Sequence, residues 1–480
     1  MIITLVSFVV LLVILIFVHE LGHFLAAKLL GVGVVRFSLG FPPKLWSKKI
    51  GETEYQLAAV PLGGYVSLVG ETPGEELPPE DRKRSMSHKP FPVKAAVILA
   101  GPFFNLFFAA LALWGLTWAV GIQHAAPVLG PLDPESPLAL AGLRTDDRVT
   151  ALDGRPVSYY DELLEAQTEG DGRPVRITAD RAGASLEFEV TPVRREGTTL
   201  LGDREEYWHF GFSARTVPVL KEVTAGRPAD KAGLRAGDLV TAVDGTPASD
   251  WTDVVRLIQR RGAPASAAVD SAGNPVPIRI DVLRGSVPLS FTVTPELDPR
   301  QGLDGETEFT PVVGISPEAE IIREAVGPVR ALGLGALEAF RMAELTVMSV
   351  VKLVQHKISS KVMGGPIMIA EIAGKKAREG MADFVWLMCF ISVNLAILNL
   401  LPLPVLDGGQ FLIFLIEAVK RSPISLKARE ITQWAGMTCL AALMILVFYN
   451  DISRLVTRFT GPPAPSAVES VQGDTPARGE

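Results

Sequence analysis

Residues 1 to 27 carry no ionisable side chain except His19, Glu20 and His23. A run of that length and apolarity is long enough to cross a bilayer as a helix. Ionisable groups inside such a helix cost about 2.5–3.5 kcal/mol each on insertion scales, so they persist where they face a cavity and bind something. Two histidines at i and i+4 share one helix face, where both imidazoles reach a single metal ion. Glu20, beside the first, can touch a metal-activated water without being a ligand, taking its proton and passing it to a leaving amine. His19-Glu20-Leu21-Gly22-His23 therefore reads as the core of a metal-dependent hydrolase built into a membrane, with one Zn²⁺ per chain expected.

The rest of the 480-residue chain alternates long uncharged stretches with ordinary charged sequence, at a mean hydropathy of +0.29. Both cysteines, Cys389 and Cys439, fall in apolar stretches, so no disulfide framework is available and any external part must be held by its own cores. The first stretch lacks a basic leader, and a cut after it would discard the metal motif, so no cleavable signal peptide is expected. Nothing in the net charge of −7 points to a nucleic-acid partner.

Four segments qualify as spans by length and lack of charge: residues 2–27, 95–122, 384–406 and 431–450. Lys and Arg crowd the loops between spans one and two and between three and four, which places those loops in the cytoplasm and the termini and the long intervening segment outside. Lys375, Lys376 and Arg378, near span three, run against that rule. The metal motif then lies toward the cytoplasmic leaflet of the membrane. The domain reading that follows is a first helix with the zinc motif (1–30), a cytoplasmic-side loop (31–94), a second helix (95–122), two external modules (123–217 and 218–315), an amphipathic region (316–383), a third segment (384–416) and a fourth helix (431–452). Within the amphipathic region, residues 337–354 carry Glu338, Arg341, Glu344 and Lys352, which suits a helix lying at the interface better than a fifth span. Residues 461–480, rich in Pro, Ser, Gly and charge, read as disordered.

The two external modules are an internal repeat. Ser136-Pro137, Ala141-Gly142-Leu143, Asp146-Asp147 and Leu152-Asp153-Gly154 recur at a constant offset as Arg227-Pro228, Ala232-Gly233-Leu234, Gly237-Asp238 and Val243-Asp244-Gly245. Each copy reads as a short helix stopped by Gly, a turn at the acidic pair, then a strand ending at Asp-Gly. The pattern resembles the PDZ domain in its bacterial protease-associated form, which binds an extended peptide as an added strand; the same modules would equally serve as steric gates. Asp146 stands where the second copy has Gly237, a departure at the first turn.

A catalytic zinc needs a third protein ligand and one open position. Asp407 is a lone carboxylate in the apolar run 399–409, at the depth expected for His19 and His23. Pro402 and Pro404 deny the backbone its donors and Gly408-Gly409 permits a sharp bend, so this is an unwound segment able to aim a carboxylate inward.

Taken together, these motifs resemble the site-2 proteases, intramembrane zinc metalloproteases, in the bacterial form with tandem PDZ domains. The resemblance rests on His19-Glu20-Leu21-Gly22-His23-Phe24, Arg36-Phe37-Ser38-Leu39-Gly40-Phe41, Pro61-Leu62-Gly63-Gly64-Tyr65-Val66, Ala100-Gly101-Pro102 through Asn105, the two repeats, Gly365-Pro366-Ile367, and Ser392-Val393-Asn394 running on to Gly409. It implies His19, His23 and Asp407 as zinc ligands and Glu20 as the acid/base. The implied substrates are single-span membrane proteins, such as anti-sigma factors already cut outside, with the bilayer and peptide ligands of the PDZ domains as further partners. Asn394 and Asn399 are implied in substrate handling.

A helical substrate must unwind locally before its scissile bond is accessible, and something must replace the lost hydrogen bonds. Residues 54–60 and 64–68 are β-prone runs around Pro61-Leu62-Gly63, read as a membrane-associated hairpin whose free edge, at Pro61, Gly63 and Gly64, pairs with the unwound peptide. For Asn394, a hydrogen bond between helices of the bundle is the alternative. Asn105 carries the same ambiguity and stays outside the catalytic set. His88, His124, His209 and His356 have no partner at ligand spacing and read as surface residues. The fold expected is a four-span α-helical bundle with a membrane-associated β-hairpin and two external α/β PDZ domains. A non-catalytic membrane PDZ scaffold with a structural metal site is the competing reading.

Overall fold

The computed structural model describes residues 2–71, 77–199, 201–259, 275–302, 307–317 and 321–460; the tail at 461–480 lies outside them. The chain forms two compact units, one of Met1–Ile122 with Ala325–Ile452 and the other built on Gln123–Glu324.

In the first unit, α1 (Ile2–Leu29), β1 (Val34–Ile50), β2 (Thr53–Leu68) and α2 (Phe91–Val120) are followed by α3 (Pro328–Val354), α4 (Pro366–Glu379), α5 (Met381–Asn399), α6 (Asp407–Lys420) and α7 (Leu426–Thr460). Among the described residues, α1, α2, α5 and Leu426–Thr457 of α7 are long and apolar enough to cross a membrane. The outer faces of these helices are as apolar as their cores, so packing rather than amphipathicity selects the inward stripe. In α1 that stripe is Ser7, Leu11, Leu15, His19 and Gly22, at helical spacing. In α2 it is Val97, Gly101, Asn105, Ala109 and Leu113, and the helix stops at Gly121 with φ 77°.

Three expectations need correcting here. The third span does not continue to residue 406: α5 ends at Asn399, residues 400–406 turn, and α6 starts afresh at Asp407. Pro402 and Pro404 have no N–H to extend the helix. α3 does not lie apart as an interfacial helix, for Trp114 Nε1 donates to Pro328 O near its start and Thr346 Oγ1 bonds Asn394 further along. Gly335 makes the contact close, since a Cβ there would sit 2.6 Å from the Trp114 backbone nitrogen. The small or uncharged residues Ala331, Gly335, Ala339, Met342 and Thr346 form its buried stripe and lay α3 lengthwise against α2 and α5.

The third correction concerns the hairpin. Residues 54–60 and 64–68 both belong to β2 and are not partners; the turn lies at Gly51-Glu52, where Ile50 pairs with Thr53. Strand β1 bends so that residues 36–39 have residues 54–57 on one side and residues 64–67 on the other. Residues 64–68 are thereby an edge of a folded four-segment sheet.

In the second unit the sequence repeat is also a structural one. Strands Arg148–Leu152, Arg155–Pro156, Val175–Arg181 and Ala184–Val190 form one four-stranded sheet, and Leu239–Val243, Thr246–Pro247, Ile278–Arg284 and Val287–Val293 form another of the same order. Helices Tyr160–Glu169 and Trp251–Gln259 pack on them. Asp146 and Gly237 adopt φ 73° and 88°, so the first copy keeps the turn despite its missing glycine; Asp tolerates this left-handed region. His124 is not a solvated surface residue: its ring is stacked 3.9 Å from Tyr159, with Nδ1 2.9 Å from Asp161 and Nε2 3.3 Å from Glu324.

Each copy is pinned by a buried Asp–Arg pair. Arg181 Nε donates to Asp147 at 2.7 Å and Arg284 Nε to Asp238 at 2.7 Å, while the backbone N–H groups of Arg144 and Arg235 bond the same carboxylates. Burial raises both carboxyls, but the guanidinium and backbone donors outweigh it and hold them below the ordinary carboxylate range. A depressed native pKa stabilises the fold at all pH values above the unfolded pKa of about 3.9, and the contribution is lost as pH falls through the native value. Amide-exchange protection of strands Arg148–Leu152 and Leu239–Val243 should hold steady down to about pH 5 and fall below about pH 4. Asp147→Asn with Asp238→Asn should flatten that dependence; an unchanged acid profile in this variant would remove the pairs as its cause.

Candidate metal centre

His19 and His23 stand one turn apart on the buried face of α1, and Asp407 reaches them from the first turn of α6. His19 Nε2 lies 3.2 Å from His23 Nε2 and 3.2 Å from Asp407 Oδ2, and His23 Nε2 lies 3.6 Å from Asp407 Oδ1. Tetrahedral zinc with bonds of about 2.0–2.1 Å places its ligands roughly 3.3 Å apart, so the three donors are spaced as such an ion requires. Among the described residues they are the only His, Cys, Asp and Glu group so clustered.

Proton positions make the same point. His23 Nδ1 donates to Val97 O at 2.9 Å, which leaves a lone pair on its Nε2. Asn105 Nδ2 lies 3.3 Å from His19 Nδ1, and the Oδ1 of the same amide is buried without a partner. With the amide turned over, Oδ1 accepts Nδ1–H, which satisfies both atoms and leaves the lone pair of His19 on Nε2. Asp407 Oδ2 is likewise a buried acceptor without a hydrogen bond. With that amide orientation and neutral rings, lone pairs on both Nε2 atoms and on Asp407 face one another, an arrangement that a divalent cation resolves.

Close backbone approach makes the cluster possible. A Cβ on Gly101 would stand 2.3 Å from His23 Nε2 and 2.8 Å from His19 Cε1, and one on Gly22 would stand 2.4 Å from Ala100 O. Cβ atoms on Gly408 and Gly409 would meet Leu400 O at 2.2 Å and Leu403 O at 2.0 Å, so only glycines let α6 fold back on the 400–404 turn and bring Asp407 to the histidines.

The site opens into a cavity of about 1110 Å³ whose lining includes Glu20, Gly64, Tyr65 and Asn399. Glu20 is therefore beside the metal ligands without joining them. Asn399 directs Nδ2 to within 3.3 Å of His19 Nε2. Asn394 is elsewhere: its Oδ1 accepts from Thr346 Oγ1 at 2.6 Å, the interhelical alternative, and it does not line the cavity. Of the three strand residues singled out, Gly64 lines the cavity and Pro61 and Gly63 do not; a Cβ on Gly64 would come 3.0 Å from Glu20 Cγ, whereas one on Gly63 would strike the Phe41 ring at 2.2 Å. Asn105 and Gly101 were the residues missed. Their signal was present in the run Gly101-Pro102-Phe103-Phe104-Asn105, a glycine and an amide one turn apart in an otherwise apolar span.

Gly101→Ala should reduce metal content well below one ion per chain, because the methyl occupies space beside both imidazoles. Gly115→Ala, on the same helix with nothing within 4 Å, is the control. Full metal occupancy in purified Gly101→Ala would show that the close approach of α2 is dispensable.

Comparison with known proteins agrees with this geometry. The chain is 34% identical over 463 residues to the regulator of sigma-E protease RseP of Escherichia coli, covering 94% of this chain and 98% of that one. It is 33% identical over 463 residues, with the same coverage, to its Salmonella typhimurium counterpart. A Ralstonia nicotianae protein that carries the name of a zinc metalloprotease is 34% identical over 485 residues, covering 94% and 98%. The family model for peptidase family M50 matches residues 7–443, and the chain belongs to that family, the site-2 proteases.

Proposed function

We propose that this protein is a zinc endopeptidase that cleaves transmembrane segments of single-span membrane proteins, with His19, His23 and Asp407 as ligands and Glu20 as acid/base. The observation that carries the reading is the convergence of three metal-ligating side chains, drawn from two helices, in a cavity that Glu20 also lines. A zinc ion held there supplies Lewis acidity toward water and the scissile carbonyl. Glu20 takes the proton of the attacking water and delivers it to the departing amine. The Asn399 amide, 3.3 Å from His19 Nε2, is placed to donate to the carbonyl of the reacting peptide. Gly64 to Leu68, paired on one side only, offers backbone donors and acceptors to a substrate that has given up its helical hydrogen bonds.

The substrates are read as anti-sigma factors already shortened outside; relatives named as regulator of sigma-E proteases support a link to sigma-factor regulation. The two repeats are read as PDZ domains that hold or exclude external portions of substrate, in a multi-pass protein of the inner membrane. The charge of the loops supports external termini and an active site toward the cytoplasmic leaflet. A structural metal site on a scaffold would need neither Glu20 nor the cavity.

Glu20→Gln should lower cleavage of a single-span reporter by about 100-fold or more while zinc stays bound. Asp407→Asn should lose zinc as well as activity. Turnover by Glu20→Gln at the parental rate would remove Glu20 from its role, and normal zinc with normal cleavage in Asp407→Asn would place the third ligand elsewhere.

A further inference from the structure

The cavity extends well past the metal ligands. Asp407, Gln410, Phe414 and Glu417 all line it, a spacing of three, four and three that marks one face of α6. Ten residues at 1.5 Å each carry that wall roughly 15 Å from the ligand cluster. The edge strand runs the same way: Gly64 lies beside Glu20, and Leu68 shares a buried cluster with Phe414, Val97 and Ile98. The space between the strand and α6 is thus a groove leading from the reacting centre to a second place on the molecule.

At that place two cations hold one aromatic ring. Lys94 Nζ, from the first turn of α2, lies 5.1 Å from the centre of Phe414, and Arg429 Cζ, from α7, lies 5.8 Å from it. Phe414 is only 9% exposed. Arg429 has a single carboxylate in reach, Glu417 at 3.8 Å, and that oxygen also accepts the Ile424 N–H at 3.1 Å. Lys94 has no ion pair among the described residues. Arg429 thus has one long and divided ion pair and Lys94 none among the described residues, and both stand on a cavity wall beside low-dielectric protein, where an anion would be held more strongly than at the open surface.

We propose that Lys94 and Arg429, braced by Phe414, form a specificity subsite for an acidic side chain of the substrate. The inference rests on the proteolytic reading above. At about 3.3 Å per residue, an extended peptide reaches the pair some four to five residues from the bond being cut. A carboxylate there completes the coordination that Glu417 leaves open. Lys or Arg, frequent at the ends of membrane spans, meets like charge instead and is disfavoured.

The test uses the full-length enzyme in vesicles with matched single-span reporters bearing Glu or Gln at each position from about three to six residues on either side of the cleavage site. At one position kcat/KM should favour Glu by about tenfold. Lys94→Gln combined with Arg429→Gln should erase the preference while the Gln reporter is cut as before, and Lys94→Glu should shift preference toward a Lys-bearing reporter. Cleavage by the parental enzyme with no Glu/Gln difference at any position, or a preference surviving in the double variant, overturns the subsite alone. No cleavage of any reporter overturns the proteolytic reading and the subsite with it. A rate that follows the anionic-lipid content of the vesicle rather than reporter charge assigns the pair to lipid headgroups and also overturns it.

Discussion

Two imidazole nitrogens facing each other at 3.2 Å are the contact on which the membrane unit turns. Val97 O holds one ring and the Asn105 side chain the other, so the close approach is built in by α2. It becomes favourable only with a cation between them and a carboxylate opposite. The two helices can approach this closely because Gly22 and Gly101 lie at their contact, and any larger residue would move the rings apart. Metal affinity is in this sense a property of helix packing as much as of the ligands.

The same economy governs the third ligand. A carboxylate in the middle of an apolar span would face lipid for part of each turn, whereas the break after Asn399 lets Asp407 begin a new helix aimed at the histidines. The cost of a break is unsatisfied backbone, which is tolerable where the chain borders protein or a cavity. Local bonds recover part of it, with Leu403 N–H reaching Leu401 O at 2.7 Å and Leu406 N–H reaching Leu403 O at 2.8 Å. The break and the edge strand face a common cavity, lined by Asn399, Val405 and Leu406 on one side and Gly64 to Val66 on the other.

The clustering of His19, His23 and Asp407 was legible in the sequence because charge in an apolar run has few innocent explanations, and the Pro-x-Pro followed by Asp-Gly-Gly announced the broken helix. The repeat was legible because its glycines and Asp-Gly turns recur in register. Strand pairing in residues 34–68 was not, since β-propensity identifies 54–60 and 64–68 as strands but says nothing of a third segment lying between them. α3 misled for a different reason. Its charges at Glu338, Arg341 and Glu344 suggested an interface, yet a separate stripe of small residues decides where it packs. His124 could not have been found by spacing, because its partners Asp161 and Glu324 are 37 and 200 residues away.

Polar groups within the bundle form a connected layer rather than scattered exceptions. Asn105 holds His19 with its side chain while its carbonyl accepts from Ser392 at 2.9 Å, and two residues further along α5 Asn394 bonds Thr346 of α3. Asn105 and Ser392 are fully buried. Each bond alone is worth about 1 kcal/mol in a membrane interior, too little to dictate a fold. Their value lies in direction: apolar helices in lipid can slide or rotate at small cost, and a chain of directional bonds from α1 through α2 and α5 to α3 fixes register at the depth of the metal. A site needing three donors within a few tenths of an ångström of tetrahedral spacing depends on that fixed register, which makes Asn394 a structural partner of the histidines it never touches.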